Sequence, residues 1–306
     1  MTVYHSLTEI PRVDNTVITI GTFDGMHRGH RMIVDAVIAK ADELAGRSLV
    51  ITFDPHPQEV LRRTGEAVPL LTTIEERIAE FGRLGVEGVL VLPFTAEFAA
   101  LPWKEFCDLL IEHVGIGHII FGHDHAFGRN REGNAASLRG YGAEHNFDVT
   151  EIGPLIIDGE AISSTKIRRA IIGGDIDKAT HYLGRNYTII GTVVRGDGRG
   201  RTLGIPTANI RPLHEAKLVP ANGVYCITLA VDGEEYRGMA NIGHRPTFTD
   251  GSQRTIEANI FDFDRDIYDH TVLLEFRKFV RSEQKFSSAE EFLSQLEKDR
   301  AICRAD

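Results

Sequence analysis

The sequence has few cysteines, no run of basic residues and no long hydrophobic segment. Its three cysteines, Cys107, Cys226 and Cys303, are widely spaced and form no CxxC pair. We therefore expect no disulfide framework, and a reducing cytoplasm fits this spacing best. No stretch approaches the length of a membrane span, and residues 1–11 lack the apolar core of a signal peptide. These features predict a cytoplasmic protein with no membrane partner.

The charge balance is acidic, with 34 Lys and Arg residues against 44 Asp and Glu residues and a formal net charge of −10. Such a chain repels anionic polymers, so neither nucleic acid nor an anionic membrane surface is expected as its main partner. Small anions would have to be bound by local groups. With 42% apolar and 25% charged residues, the 306-residue chain is not disordered, and its length predicts two domains.

In the first half, short apolar runs alternate with segments of helical periodicity. Strands are predicted at 16–20, 49–53, 88–92 and 118–121, and helices at 31–44, 73–84, 103–114 and 137–145. This alternation predicts a Rossmann-like α/β domain, with a parallel sheet covered by helices on both faces. Ligands of such sheets bind beyond the carboxyl ends of the strands.

From residue 187 onward, strand-like runs separated by Gly-rich turns replace the alternation. Strands at 187–194, 223–231, 236–242, 255–260 and 271–280 predict a small antiparallel β-barrel, followed by a terminal helix at 289–299. A helix over 167–183 is expected to bridge the halves. The predicted domains are therefore 1–184 and 185–306.

The segment after the first strand, residues 21–30, is GTFDGMHRGH and leads directly into a helix. Glycines let the backbone approach a ligand, and a helix N-terminus offers free N–H groups to an anion. Two histidines three residues apart can face that anion together. The segment resembles the HxGH signature of nucleotidylyltransferases. A Gly-rich turn with incidental histidines is the structural alternative. The candidate residues are Gly21, Phe23, Asp24, His27, Gly29 and His30.

Three later segments add candidate residues to the ligand site that is predicted beyond the carboxyl ends of the strands. The first is TFDPHP after the second strand, and the second is the loop after the fourth strand. The third is ISSTKIR, where hydroxyl and basic side chains at a helix start make a second anion site. Each segment has a structural alternative as a cap or a solvated loop. The candidates are His56, Asp124, Phe127, Ser164, Thr165 and Arg168.

Four histidines allow a competing interpretation of this predicted site, namely that it binds zinc. His27, His30, His56 and His123 could meet at the strand ends and hold zinc. No cysteine joins them, and the HxGH pattern already accounts for two of them. The nucleotide site is therefore the favoured interpretation.

Residues 196–209 are GDGRGRTLGIPTAN, the most distinctive run of the chain. Its glycines and arginines indicate a phosphate-binding flap. Thr207 and Asn209 supply hydroxyl and amide oxygens, which suit Mg²⁺. No GxxxxGK[ST] pattern occurs, so any ATP is bound without a P-loop. The flap candidates are Gly196, Gly198, Arg201, Gly204 and Pro206.

Two further candidates stand in the predicted strands of the barrel. Glu257 belongs to an alternating strand, and a carboxylate lining the barrel could take a proton from an alcohol. An exposed strand glutamate is the structural alternative. Asn241 begins the run NIGHRPTF directly after a strand.

Together these motifs resemble one family, the bifunctional bacterial riboflavin kinase/FAD synthetases. GxFDGxHxGH, TFDPHP, ISSTKIR, GRxLGxPTAN and NIGxxPTF occur in the family's order, and the resemblance spans nearly the whole chain. The chain departs from the family at His125 and Ala126, where an aromatic and a longer polar residue are common. This departure weakens the assignment of Asp124 and Phe127 more than that of the two HxGH histidines.

The resemblance implies two ATP-dependent reactions. The barrel would transfer the γ-phosphoryl group of ATP to the 5′-hydroxyl of riboflavin, with Glu257 as general base and Thr207 and Asn209 holding Mg²⁺ and phosphates. The first domain would join FMN to the AMP part of a second ATP and release pyrophosphate. His27, His30, Ser164 and Arg168 would stabilise the developing charge, and Asp124 and Phe127 would line the nucleotide or flavin pocket.

Two alternatives to this bifunctional enzyme stay open at this point. One is a flavin- or nucleotide-binding sensor, and the other is an enzyme that has only one of the two activities. Riboflavin, FMN and ATP are the expected small-molecule partners. An oligomer is possible, and the sequence does not decide it.

Overall fold

The two halves of the sequence form two different folds in the computed structural model. The structure describes residues 1–61, 68–123, 127–129, 132–196, 205–244 and 254–306. They divide into two compact units, Met1–Ser164 and Thr165–Asp306. The division into domains 1–184 and 185–306 stays a prediction. In the described ranges, no helix is long and apolar enough to cross a membrane.

A six-stranded parallel sheet with the order β1-β4-β3-β2-β5-β6 forms the first unit, which confirms the predicted Rossmann-like class. Its strands are β1 (Thr2–Tyr4), β2 (Thr16–Ile20), β3 (Ser48–Asp54), β4 (Gly88–Pro93), β5 (Ile116–Gly122) and β6 (Asp148–Ile152). Its helices are α1 (Arg28–Glu43), α2 (Pro57–Leu61), α3 (Ile74–Leu84), α4 (Ala96–Ala99), α5 (Trp103–His113) and α6 (Ala135–His145). A two-stranded ribbon, β7 (Ile156–Ile157) and β8 (Glu160–Ala161), follows the sheet.

Helices cover both faces of this sheet because its central strands are apolar on both sides. On β2, Ile18 and Ile20 belong to a core cluster with Leu110 of α5. Val17 belongs to a second cluster with Val37 of α1. Successive strand residues point to opposite faces, so one short strand serves both clusters. Polar side chains are therefore expected at the strand ends and the loops that follow them.

A closed antiparallel barrel with the order β10-β13-β12-β11-β14-β9 forms the centre of the second unit, as predicted. Two helices precede it, α7 (Ser164–Ile172) and α8 (Ile176–Leu183). The strands are β9 (Tyr187–Val194), β10 (Ala208–Pro212), β11 (Gly223–Val231), β12 (Glu234–His244), β13 (Arg254–Ile260) and β14 (Thr271–Arg281). The chain ends in helix α9 (Ala289–Ala305).

The alternation of the barrel strands separates an interior face from a face covered by α9. Tyr225, Ile242 and Ile256 are at most 2% exposed and belong to the interior face. Cys226 and Met239 alternate with these residues and pack with Cys303 of α9. Residues in register with Cys226 and Met239 therefore lie on the face toward α9.

Some elements differ from the sequence prediction. The helix expected over 167–183 is two helices, because Gly174 has φ 80° and the Asp175 side chain caps α8. The PTAN segment, interpreted as a turn, enters strand β10 at Ala208. Strand β6 was not predicted, because its sequence, DVTEI, has no apolar run.

The expectation of no disulfide framework did not include the disulfide that the structure contains. Cys226 of β11 and Cys303 of α9 form a disulfide across a sequence separation of 77 residues. The spacing of the cysteines does not predict this pair, because the two residues meet only when the terminal helix packs against the barrel. Cys107 is a free and buried cysteine.

Candidate active sites

The HxGH segment forms a tight turn between β2 and α1. Phe23, Gly25 and Met26 have positive φ values of 48°, 87° and 42°. A left-handed conformation costs a non-glycine residue about 1–2 kcal/mol, so this turn needs support from its neighbours. The chain enters α1 at His27, whose Nδ1 accepts a hydrogen bond from the backbone N–H of His30 at 3.2 Å.

The two histidines of the motif lie against each other. Their ring centroids are 3.6 Å apart and the rings are inclined by 18°. Because Nδ1 of His27 is an acceptor, its neutral ring carries the proton on Nε2. Burial lowers the pKa of His30 well below its usual value, and His27 and Arg77 lower it further. At pH 7 the ring of His30 is therefore neutral, and the pair can offer N–H donors to an anion.

Asp24 supports the turn from inside the protein. Its carboxylate accepts hydrogen bonds from the backbone N–H groups of Leu71 and Thr72 at 3.3 and 2.9 Å. The hydroxyl of Thr72 accepts from the backbone N–H of Gly25 at 2.8 Å, and the hydroxyl of Ser164 donates to the backbone oxygen of Asp24 at 2.8 Å. Asp24 is only 1% exposed. These contacts are structural, and a direct contact between Asp24 and a nucleotide stays a prediction.

The two glycines predicted in this segment lie under aromatic rings. A Cβ at Gly21 would be 3.0 Å from the ring of Phe23, and a Cβ at Gly29 would be 3.3 Å from the ring of His27. These distances are tighter than most Cβ contacts. Glycine at these positions therefore lets the two rings lie close to the backbone of the turn.

Two other candidates have structural partners. His56 is buried, and its Nδ1 accepts a hydrogen bond from the backbone N–H of Gln58 at 3.1 Å, as the capping alternative predicts. Phe127 belongs to the core of the first unit, with its ring 5.9 Å from that of Phe106. Their roles in ligand binding stay predictions.

The remaining candidates for the nucleotide site are Ser164, Thr165, Arg168 and Asp124. Ser164 is the first residue of α7, and Thr165 and Arg168 follow in the same helix, within the second unit. Asp124 lies outside the described residues. The four histidines considered for zinc are all described, and no cluster of three or more His, Cys, Asp or Glu side chains in the described ranges is placed to hold a metal ion.

Three neighbouring strands of the barrel bring three predicted residues into one row. Glu257 on β13 pairs directly with Asn209 on β10 and with Asn241 on β12. Directly paired residues project from the same face of a sheet. Asn241 lies in register with Val224 of β11, two residues before Cys226, so this row is on the face toward α9. Glu257 therefore does not line the barrel interior as expected, and its side chain is partly exposed.

A cavity of about 290 Å³ opens over this row. Thr207, Asn241 and Glu257 give it a polar side. The rest of its lining comes from the barrel, from α9 and from the segment that leads into it. It consists of five further polar or charged residues, Asn259, Arg281, Glu283, Gln284 and Asp299, and seven apolar ones. The apolar residues are Ile205, Val224, Met239, Ala240, Phe286, Phe292 and Leu296. A concave, mostly apolar pocket with a few convergent polar groups is typical of small-molecule sites.

The side chains of Thr207, Asn209 and Glu257 have no hydrogen bond or ion pair with the residues that the structure describes. Buried polar groups are normally paired, whereas partly exposed ones can remain available for a ligand. These three side chains and the amide of Asn241 therefore offer four polar groups on one face of the barrel. Together they can bind a hydroxyl group, a phosphate or a cation.

The start of the predicted flap lies against this row. A Cβ at Gly196 would be 2.2 Å from Nδ2 of Asn209, so any side chain at residue 196 would displace this amide. The backbone oxygen of Pro206 accepts a hydrogen bond from Asn259 at 2.8 Å, which ties the flap's end to β13. The predicted flap residues Gly198, Arg201 and Gly204 lie outside the described residues.

Two groups of supporting residues were not among the predicted site residues. Arg281 of β14 forms an ion pair with Asp299 of α9 at 2.8 Å, and Gln295 also donates to Asp299 at 2.9 Å. Arg77 of α3 is buried beneath the HxGH turn. A charged residue at an apolar position of an amphipathic helix is the one signal that could have drawn attention to Arg77 and Asp299.

A parallel sheet with an HxGH turn and a barrel with a carboxylate–amide row define a nucleotide-dependent transferase with two catalytic modules. The sequence model of the FAD synthetase family matches residues 10–166, and that of the riboflavin kinase family matches residues 183–305. The chain therefore belongs to the bifunctional riboflavin kinase/FAD synthetase family. It is an enzyme with two activities, phosphorylation of riboflavin to FMN and adenylylation of FMN to FAD.

Relatives match this chain over nearly its full length. The bifunctional riboflavin kinase/FMN adenylyltransferase of Listeria monocytogenes is 40% identical over 307 residues, which cover 99% of this chain and 96% of the relative. That of Bacillus subtilis is 37% identical, covering 93% and 90%. A crystal structure described as a macrolide-efflux protein from Streptococcus pneumoniae superposes with a TM-score of 0.90 at 32% identity, covering 99% and 98%. The likeness to this third protein extends over the folds of both units.

Proposed function

We propose that riboflavin is phosphorylated at the row of Asn209, Glu257 and Asn241. The observation that carries this proposal is the position of Glu257, centred in the row and on the polar side of the cavity. Its carboxylate is available there to take the proton of the attacking 5′-hydroxyl group. Phosphoryl transfer depends mostly on positioning and charge stabilisation, so one base with well-placed neighbours is sufficient.

The apolar part of the cavity is the proposed place for the flavin ring. Phe286 and Phe292 form an edge-to-face pair with centroids 5.4 Å apart, and both line the cavity. A flat heteroaromatic ring packs well against such side chains. With the ring in the apolar part, the sugar-alcohol chain of riboflavin would extend toward Glu257.

Mg²⁺ is the proposed metal of this step, and the residues present fit it. The hydroxyl of Thr207 and the amide oxygen of Asn209 are hard oxygen ligands of the kind that Mg²⁺ prefers beside substrate phosphates. Bound there, the ion would neutralise charge on the transferred phosphoryl group. Asn209 would hold it next to Glu257, and the lack of a side chain at Gly196 leaves room for the amide of Asn209.

A magnesium titration tests this assignment. In Asn209→Ala, half-maximal FMN formation should require a higher Mg²⁺ concentration than in the wild type, because one ligand is lost. Asn241→Ala is the matched control, since it removes the same group from the other neighbour of Glu257. An unchanged magnesium dependence in Asn209→Ala would remove Asn209 from the metal site.

FMN adenylylation is proposed at the HxGH turn, with phosphates of ATP bound at the start of α1. There the neutral ring of His30 and the ring of His27 would donate N–H groups to the charge that develops when the FMN phosphate attacks the α-phosphorus. The hydroxyl groups of Ser164 and Thr165 and the guanidinium of Arg168 would add further donors. In this direct attack, no covalent intermediate with the protein forms.

The variant His30→Ala tests the second site. Loss of one donor to transition-state charge typically costs about 100-fold or more in rate, so FAD formation from supplied FMN should fall that far. Riboflavin phosphorylation should keep its wild-type rate. Retention of FAD formation would remove His30 from the mechanism.

Three broader assignments are also proposals. The cytoplasmic location stays a prediction, and the bond between Cys226 and Cys303 removes the support that the cysteine spacing gave it. The domain division at residues 184 and 185 fits the riboflavin kinase match, which begins at residue 183. The net charge of −10 supports small molecules rather than nucleic-acid polymers as partners.

A further inference from the structure

Arg77 is a buried cation without a bonded carboxylate in the part of the chain that the structure describes. It belongs to the first turn of α3 and is 1% exposed. Its Nη1 donates to the backbone oxygens of Thr22 and Phe53 at 2.7 and 3.3 Å and to the hydroxyl of Thr52 at 3.0 Å. Its Nε donates to the backbone oxygen of Thr73 at 3.4 Å. Burial lowers the pKa of Arg77, and the charges of Asp24 and Asp54 raise it, although neither carboxylate is bonded to it. Burying a cation without a bonded carboxylate is costly, and general stability is a weak reason for it.

The contacts of Arg77 join two segments that carry motifs. Thr22 is the second residue of the HxGH segment and precedes Phe23, the first residue of the turn with positive φ. Thr52 and Phe53 stand near the carboxyl end of β3, at the start of TFDPHP. One guanidinium group therefore fixes the entry of the strained turn to the neighbouring strand, while Thr72 and Asp24 fix its middle.

Arg77 also acts on His30 electrostatically. Burial is the main reason why the pKa of His30 is lowered, and the charges of His27 and Arg77 lower it further. His27 acts from α1 and Arg77 from α3, while the carboxylate of Asp24 in the turn is engaged by the backbone of 71–72. The ring of Phe23 packs edge-on against His30 at 5.3 Å. The positive charge of Arg77 therefore favours a neutral His30.

We infer that Arg77 is a positioning residue for adenylyl transfer, which holds the HxGH turn to β3 and places a positive charge behind His30. The inference rests on the assignment of that reaction to His27 and His30. Arg77 lies below the surface, so its effect on the reacting phosphates passes through the turn and the histidine rings.

The test compares Arg77→Met and Arg77→Lys with a matched control, Arg47→Met. Arg47 is also a buried arginine of the first unit, but it donates to the backbone oxygens of Pro11 and Val114, near the amino end of β2. Arg47→Met therefore reports the general cost of losing a buried guanidinium group. Riboflavin phosphorylation by the same samples reports whether the second unit is intact.

The first readout is the rate of FAD formation from FMN. A misplacement of about 1 Å at a reacting site can cost about 100-fold, so Arg77→Met should lower kcat ten- to hundredfold while the KM for ATP changes much less. Arg77→Lys should also lose rate, because one ammonium group cannot reproduce the shared contacts with Thr22 and Phe53. A wild-type kcat in folded Arg77→Lys would contradict this positioning.

The second readout is the pH at which the imidazole of His30 titrates, followed by NMR on histidine-labelled protein and assigned by its absence in His30→Ala. Removal of the neighbouring positive charge raises the pKa of His30, so Arg77→Met should titrate at higher pH than the wild type. Arg77→Lys keeps a positive charge at residue 77, and Arg47→Met does not alter that residue. The imidazole of His30 should therefore titrate at the wild-type pH in both variants.

A merely structural role predicts a different result. Arg77→Met would then lose as much rate as Arg47→Met and leave the His30 titration unchanged, and this outcome would overturn the inference. If Arg77→Met does not fold, the rate of FAD formation by folded Arg77→Lys decides it, and a wild-type rate overturns the inference. Failure of the site assignment is distinguishable, because His30→Ala would then keep FAD formation whatever Arg77 does.

Discussion

Glu257 and Asn209 are directly paired across β13 and β10. Directly opposite residues of an antiparallel pair have Cβ atoms about 4.5–5.5 Å apart, so the proposed base and the proposed magnesium ligand are neighbours by strand register. The two residues come from motifs almost fifty positions apart. A closed barrel keeps this register fixed, since a shift of one strand by one residue would turn its side chain to the other face and separate the two groups.

Gly196 should be indispensable to this arrangement. In Gly196→Ala, a Cβ would lie 2.2 Å from Nδ2 of Asn209 and displace its amide. FMN formation should fall about tenfold or more, because displaced catalytic groups lose positioning, whereas FAD formation from FMN should persist. The measurement is the initial rate of each reaction. Gly140→Ala is the control, since nothing lies within 4 Å of that Cβ, and equal effects of the two variants would contradict the account.

The buried ion pair of Arg281 and Asp299 should hold α9 over the cavity. Asp299 is almost fully buried and Arg281 is 15% exposed. Removal of one partner from a buried pair costs about 3–5 kcal/mol, so Asp299→Asn should lower the free energy of unfolding by a large part of that amount and raise the KM for riboflavin. Denaturant unfolding and steady-state kinetics measure these two effects.

Asp262→Asn is the matched control for that prediction. Asp262 pairs with Arg304 of the same helix at 2.8 Å, but both side chains are exposed. Exposed pairs contribute about 0–1 kcal/mol, so this variant should have nearly wild-type stability and KM for riboflavin. A comparable loss in both variants would show that burial of the Arg281 pair has no special importance for the cavity.

Thiol titration should find no reactive cysteine in the folded, unreduced protein. Cys226 and Cys303 are bonded, and burial raises the pKa of the third thiol, Cys107, to about 12. Below that pH Cys107 is protonated and unreactive, since the thiolate is the nucleophile. Unfolding without reductant should expose one thiol, and unfolding with reductant should expose three. Three thiols without reductant would contradict the disulfide.

The fold was accessible from the sequence because its patterns are regular. The parallel sheet follows from apolar strands that alternate with amphipathic helices, and all of the predicted barrel strands are present. Short or polar strands such as β1 and β6 were missed, because their burial depends on neighbours rather than on their own composition. The break between α7 and α8 at Gly174 is a local backbone event within one helical pattern.

The candidate sites were predictable to the extent that their residues stand in motifs. The stacking of His27 on His30 and the row around Glu257 join residues that the sequence analysis had selected. Their supports, Arg77 and Asp299, stand outside any motif and act through tertiary contacts. The disulfide of Cys226 and the outward direction of Glu257 also depend on how α9 packs against the barrel.

Glu257→Gln provides the most direct test of the central claim, that the two reactions have separate sites in one chain. The variant is supplied with ATP and Mg²⁺ and either riboflavin or FMN, and the products are separated by chromatography. The amide cannot accept the proton of the 5′-hydroxyl group, so no FMN should form from riboflavin, while FAD should form from FMN at the wild-type rate. Wild-type formation of FMN, or an equal loss of both products from folded protein, would contradict the account.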